Sequence, residues 1–263
     1  MSGETYRTGL VLSGGGARGF AHLGVLQALN ETGIYPDIIS GASAGALAGV
    51  MYCDGYKPKE ILKIMKSGSR LDYMRPTLPR DGLLQISGIV RILETHLRAK
   101  TFEELKMPLY VSTTDINSGK VVYFSKGKLL DPVIASASIP VLFKPVIINN
   151  HYYVDGGVLD NFPIHPIEGK CLMTIGSFVN PTGSEEHLSG LIRIAVRTFM
   201  LSMSKEILEK SKKVDIFIAP EKLRKYNILD PEKAEEIFEI GYKTANEILS
   251  DTEVRNSVLA KIK

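Results

Sequence analysis

The sequence predicts an α/β protein: a three-layer α/β/α sandwich around a mostly parallel sheet. Three observations predict it. Short, continuously apolar runs recur along the chain, the pattern of strands buried on both faces. Segments with helical apolar spacing separate them, so that strand and helix alternate. Glycine-rich turns stand at residues 13–16 and 41–45, each between a strand-like run and a helical one.

Gly9-Leu10-Val11-Leu12 is the first apolar run, and it ends at Ser13-Gly14-Gly15-Gly16. Over 20–29, Leu23, Leu26, Ala28 and Leu29 recur at helical spacing, and Gly33 stops the helix. Asp37-Ile38-Ile39 is a second strand; it runs into Gly41-Ala42-Ser43-Ala44-Gly45, after which 46–51 reads as a buried helix. Residues 55–106 are richer in Lys and Arg and are broken by Pro58, Pro76 and Pro79. Short helices are expected over 59–66 and 89–97, with a loop over 67–83 between them. A strand at 108–115 turns at Asn117-Ser118-Gly119 and is answered by 121–124 as a hairpin. Asp131-Pro132 opens a short helix to Ala137. A second hairpin over 147–154 turns at Asn149-Asn150, and later strands fall at 172–175 and 215–219. Long helices fill 188–209 and 231–249, the second opened by Asp230-Pro231.

The 263 residues suffice for one α/β domain spanning 1–263. A net charge of +3 is too small to imply a nucleic-acid partner. Cys53 and Cys171 form no metal-binding spacing with each other or with a histidine, and are expected as free thiols in a reducing compartment. The first residues have no basic start and no long apolar stretch, and no apolar run approaches the ~18 residues of a membrane span. The expectation is a cytoplasmic protein, peripheral at the membrane if its substrate is a lipid.

Three motifs carry chemistry. Gly14-Gly15-Gly16-Ala17-Arg18-Gly19, between strand and helix, bares backbone N–H groups at a helix N-terminus, where anions bind. Those anions include the oxyanion of an acyl-transfer intermediate. Gly41-x-Ser43-x-Gly45 matches the strand-to-helix elbow that exposes a serine hydroxyl. Asp155-Gly156-Gly157 follows a third strand-like run. Each motif ends a predicted strand, and in an open parallel sheet such ends line one crevice. A donor loop, an exposed serine and a carboxylate meeting there is an acyl-hydrolase site.

The order GGGxRG, GxSxG, DGG resembles that of the patatin-like phospholipases. The likeness includes the blocks Ala137-Ser138-Ile139-Pro140-Val141-Leu142-Phe143-Lys144-Pro145 and Asp155-Gly156-Gly157-Val158-Leu159-Asp160-Asn161-Phe162-Pro163, and it covers roughly residues 8–180. The resemblance implies a patatin-like fold and a Ser–Asp dyad without histidine, with Ser43 attacking an ester carbonyl and Asp155 taking its proton. It implies an oxyanion loop of Gly14, Gly15, Gly16 and Arg18, where Arg18 stabilises the loop or meets a phosphate. Gly19, Gly41, Gly45, Gly156 and Gly157 complete the motifs. Lipid or lysolipid esters are the implied substrates, and no metal or cofactor is needed.

Two rival readings come from the residues themselves. A Ser–His–Asp triad needs a late histidine, and only His165 and His187 follow Asp155. A dinucleotide site needs an acid roughly twenty residues beyond the glycine loop, near Asp37. A third rival is a catalytically silent lipid-binding relative. Residues 67–84, with Met74, Leu78, Leu83, Leu84, Arg70, Arg75 and Arg80, are a candidate lid at a lipid surface. The Met200, Leu201, Met203 stripe reads as core, and 204–213, with Lys210, as a solvated helix end.

Overall fold

Eight strands form the central sheet of the computed structural model, which describes residues 5–66, 75–76, 84–184, 188–204, 206–254 and 261. In chain order the elements are β1 (Tyr6–Leu12), α1 (Phe20–Glu31), β2 (Ile38–Ala42), α2 (Ala44–Cys53) and α3 (Pro58–Lys66). A two-strand ribbon, β3 (Arg75–Pro76) and β4 (Leu84–Gln85), precedes α4 (Ser87–His96). Then come β5 (Leu109–Asp115), β6 (Lys120–Phe124), α5 (Leu130–Ser136), β7 (Val146–Ile148), β8 (His151–Asp155) and β9 (Cys171–Ser177). The chain continues through α6 (Leu191–Met203), α7 (Ile207–Ser211), β10 (Ile216–Ile218) and α8 (Ala234–Leu249).

The sheet order is β10-β9-β1-β2-β5-β8-β7, with β6 also on β5. The strands from β10 to β5 are parallel, whereas β6, β7 and β8 join antiparallel. Steps from β1 to β2 to β5 move one way across the sheet, so right-handed crossovers put α1 to α4 on one face. The steps from β8 to β9 to β10 move back and put their connections on the other. The two cores agree. Leu10, Leu12 and Ile39 pack with α1, α2 and α8, whereas Val11 and Ile38 pack with Phe162, Ile164 and Ile167. The direction reverses between β1 and β9, the place where open α/β sheets bind ligands. There the Ser13 N–H donates to the Ser177 carbonyl at 3.1 Å.

α1 is buried nearly all round rather than on one side, because α8 crosses its outer face. The crossing is backbone on backbone. A β-carbon at Gly24 would lie 2.0 Å from the Phe238 carbonyl oxygen, and one at Gly241 would lie 2.2 Å from that of Ala21.

Two expected helices differ. The helix expected over 188–209 is two, α6 and α7, broken at Ser204, whose hydroxyl donates to the Met200 carbonyl at 3.2 Å. Asp230 accepts from the Glu232 N–H at 3.1 Å, but the turn it opens is 3₁₀, and α8 begins only at Ala234. Most of the candidate lid, 67–74 and 77–83, lies outside the described residues.

Candidate active site

Two strands meet end to end to make the site. β6 occupies one edge of β5 from Val111 to Asp115, so β2 and β8 share the other edge. β2 runs parallel and ends with Ala42 opposite Ser112, while β8 runs antiparallel and ends with Asp155 opposite Thr113. The strand ends face each other one step apart along β5, which brings Ser43 and Asp155 together. The hairpin expected over 147–154 is β7 and β8, so Asp155 ends an antiparallel strand rather than one of the parallel strands whose ends share the crevice. An antiparallel strand normally ends at the opposite side of the sheet, but β8 overlaps only Thr113, Thr114 and Asp115, so its end stays on the ligand side.

Ser43 takes φ 50 and ψ −120, a backbone conformation that costs a non-glycine residue about 1–3 kcal/mol. Its surroundings hold it there. The Ser43 N–H donates to the Ser136 hydroxyl at 2.8 Å, and that hydroxyl donates to the Ser112 carbonyl at 2.6 Å. Gly45 passes against β1 so closely that a methyl group there would lie 2.2 Å from the Leu12 carbonyl oxygen. Gly41 faces Gly45 across the elbow, and Gly19 packs against Ala44.

The glycine loop passes directly over Ser43; a β-carbon at Gly14 would lie 3.0 Å from that of Ser43. The Gly14 N–H is already committed, to the Asn161 carbonyl at 3.2 Å and to Asn161 Oδ1 at 3.0 Å. Ala17 N–H donates to the Ile228 carbonyl at 2.8 Å and Arg18 N–H to the Gly15 carbonyl at 3.2 Å. Among the described residues this leaves the N–H groups of Gly15 and Gly16 without a backbone acceptor. Gly16 has φ 55, and its Cα lies against the Ile228 carbonyl.

Arg18 is buried and turned towards the far side of the loop. Its guanidinium donates to the carbonyls of Tyr226 at 2.8 Å, Pro181 at 3.2 Å and Arg224 at 3.3 Å, and to Asn180 Oδ1 at 3.3 Å. Of the two roles expected for it, this geometry serves stabilisation of the loop.

The Asp155 side chain is fully buried. Oδ1 accepts from the Gly157 N–H at 2.8 Å, while Oδ2 makes no closed hydrogen bond. Burial pushes its pKa up from 3.8 to about 7, and the neighbouring Ser43 hydroxyl and the Gly157 N–H offset only part of the rise. Gly156 lets the chain after Asp155 lie against the Ser112 carbonyl, and Gly157 meets Met203 of α6.

A cavity of about 130 Å³ opens from Ser43. Leu47, Ile61, Met65, Ile139 and Phe143 line it with the Gly16–Gly19 turn, and among the described residues Ser43 supplies its only polar side chain.

Two neighbours of the site escape a sequence reading. His22 is fully buried, its Nε2 lies 2.8 Å from the Ser13 carbonyl, and its Nδ1 lies 2.8 Å from the Ser177 hydroxyl. A carbonyl can only accept, so Nε2 carries the proton; burial lowers the pKa to about 4 and keeps the ring neutral. Asn161 clamps Gly14, and its Nδ2 is buried without a hydrogen-bond partner. Asn161→Ala is expected to lower ester turnover roughly tenfold by loosening the loop. Asn161→Asp keeps the acceptor but adds a negative charge near Asp155, so the pH midpoint of turnover should move up. A pH–rate profile of both variants checks this, and an unmoved midpoint in Asn161→Asp contradicts it.

The rival sites come apart. No histidine among the described residues hydrogen-bonds Ser43. His165 is half-exposed beside Asp160, 3.9 Å from Oδ2, and His187 lies outside the described residues. Asp37 precedes β2 at the far end of the sheet from the glycine loop, where Oδ2 accepts from the Thr8 N–H at 2.8 Å. Lys210 is not solvated as expected. The carboxylate of Asp160 draws it inward to 2.6 Å, with Glu206 at 3.0 Å, and this ion pair ties α7 to the loop after Asp155. Of the stripe expected as core, Met200 and Met203 are buried, but Leu201 lies on the other side of the helix and is exposed.

Fold and pocket together define an α/β protein whose sheet brings a strained serine and a buried carboxylate to an apolar cavity. The profile of the family described as patatin-like phospholipase matches residues 10–167, more than half the chain, and the chain belongs to that family. An uncharacterized NTE family protein of Mycobacterium tuberculosis is 31% identical over 219 residues, covering 78% of this chain and 61% of that protein. Lysophospholipase NTE1 of Kluyveromyces lactis is 26% identical over 98% of this chain but only 20% of its own length. This chain thus spans less than two thirds of either relative. The crystal structure of VipD from Legionella pneumophila matches with a TM-score of 0.56 at 18% identity, over 92% of this chain and 66% of that one, and so shares the fold.

Proposed function

We propose that this protein hydrolyses the carboxylic esters of lipids, phospholipid or lysophospholipid acyl chains, through a Ser43–Asp155 dyad, working as a peripheral protein at a cytoplasmic membrane surface. The supporting observation is an apolar cavity in which, among the described residues, Ser43 is the one polar lining side chain and stands beside a buried carboxylate with a free oxygen. The acyl chain lies in the cavity and the ester carbonyl rests over Ser43. As Ser43 Oγ attacks, its proton passes to Asp155 Oδ2. The N–H groups of Gly15 and Gly16 receive the oxyanion. Collapse breaks the bond to the alcohol, which leaves with the proton from Asp155. Water then attacks the acyl-serine, again giving its proton to Asp155, and the acid departs with Ser43 restored. A pKa near 7 suits a base that must also return the proton. The apparent lysophospholipase activity of a relative, carried in its name, agrees with this substrate class.

Labelling with a fluorophosphonate tests the reading. The adduct is expected on Ser43, absent from Ser43→Ala, and protected by lysophosphatidylcholine. Undiminished ester turnover by Ser43→Ala, or an adduct mapped to another residue, would falsify it.

A further inference from the structure

Exposed apolar side chains concentrate on one part of this molecule. Among the described residues, six of the thirteen large exposed hydrophobics fall within 188–208: Leu188, Leu191, Ile192, Ile194, Leu201 and Leu208. Single exposed apolar residues need no explanation, but a contiguous patch marks an interaction site.

The helix at its centre is α6. At 100° per residue, Met200 and Met203 point inward, and Leu191, Ile194 and Leu201 point outward with Thr198 and Ser202. Leu191 is 78% exposed, Ile194 47% and Leu201 49%. A water-facing helix carries polar residues on that side. Here the outward side sets three large apolar side chains beside only two small hydroxyls, Thr198 and Ser202.

Arg193 and Arg197 stand on the flank of α6, and Arg197 donates to the Gly183 carbonyl. The inner face of α6 backs the site. Val196 and Phe199 pack on Ile139 and Phe143, and Met200 and Met203 pack on Ile228; Ile139, Phe143 and Ile228 line the cavity. One helix thickness, about 10 Å, therefore separates the outer stripe from the space beside Ser43.

We propose that α6 docks this protein on a lipid surface, lying in the interface with Leu191, Ile194 and Leu201 at the acyl boundary. The identity of the occupant rests on the lipid-hydrolase reading above. The helix has 13 residues, too few to span a bilayer but enough to lie in it. A second copy of the chain fits less well. The outer face measures about 20 Å by 10 Å, well short of the roughly 800 Å² that each partner contributes to a stable interface.

The chain has no tryptophan, so Leu191→Trp is a single reporter. Leu172→Trp, also exposed but at the other end of the sheet, is its control. With phosphatidylcholine–phosphatidylglycerol vesicles, Leu191→Trp emission should shift to the blue and be quenched by brominated acyl chains, while Leu172→Trp stays unchanged. The pair Leu191→Asp and Ile194→Asp should cut hydrolysis of vesicle lipid roughly tenfold or more and leave a soluble short-chain ester unaffected. No vesicle-dependent change in Leu191→Trp overturns the proposal, as does a shift in lipid-free buffer that grows with protein concentration and accompanies dimer formation. Failure of the catalytic reading is separately visible, as absent turnover of the soluble ester by the unmodified protein, and leaves the reporter result intact.

Discussion

Asp155→Asn is expected to abolish ester turnover and, above pH 7, to stabilise the fold. Removing a general base costs a factor of roughly 10² to 10⁴. Among the described residues, no other titratable side chain is identified beside the Ser43 hydroxyl to replace it. The stability effect follows from burial. Burial raises the folded-state pKa of Asp155 to about 7 from an unfolded value of 3.8. Between those values the folded protein holds a proton that the unfolded chain has released. The stability gained from that proton is complete below about pH 4 and is lost as pH rises through 7. A shift of about three units corresponds to about 4 kcal/mol. Asparagine has the same shape and no charge to bury, so its advantage is greatest at pH 8 and shrinks towards pH 4. Urea denaturation at both ends of that range measures it. An advantage that does not change with pH would mean that Asp155 is not a buried ionising carboxyl.

Arg18→Met should have the next largest effect, a loss of roughly 3 kcal/mol or more of stability. The methionine fills similar space but leaves Tyr226, Pro181, Arg224 and Asn180 without their shared donor. Each bare acceptor costs about 1–3 kcal/mol to the extent that water cannot reach it. Activity should fall as well, because the segment held by Arg18 includes Ile228, whose carbonyl anchors the Ala17 N–H of the glycine loop. Arg18→Lys should not rescue, since an ammonium cannot reproduce a planar fork that reaches acceptors on two segments. Wild-type denaturation and turnover in Arg18→Lys would contradict that role.

The elbow and the glycine loop were legible because their demands are local. Gly45 and Gly16 stand where the chain must touch a backbone carbonyl, and a short strand and a helix flank each motif. The direction of β8 was not legible, since its apolar pattern is the same for a parallel or an antiparallel neighbour. The clamps were hidden by distance along the chain: Asn161 is 147 residues from Gly14, Ser177 is 155 from His22, and Tyr226 is 208 from Arg18. Lys210 looked solvated because it stands among Lys212 and Lys213, and nothing in that run announces the buried Asp160 that recruits it. α6 shows the limit of periodicity. Its Met and Leu stripe reads as core, yet Leu191, Ile194 and Leu201 face outward.

The rate at which a fluorophosphonate labels Ser43, followed from about pH 5 to pH 9, tests most directly whether Asp155 activates this serine. The wild-type rate should rise with pH through a midpoint near 7. In Asp155→Asn it should be slow and nearly flat. Equally fast labelling of the variant, or a wild-type rate independent of pH, would contradict the dyad.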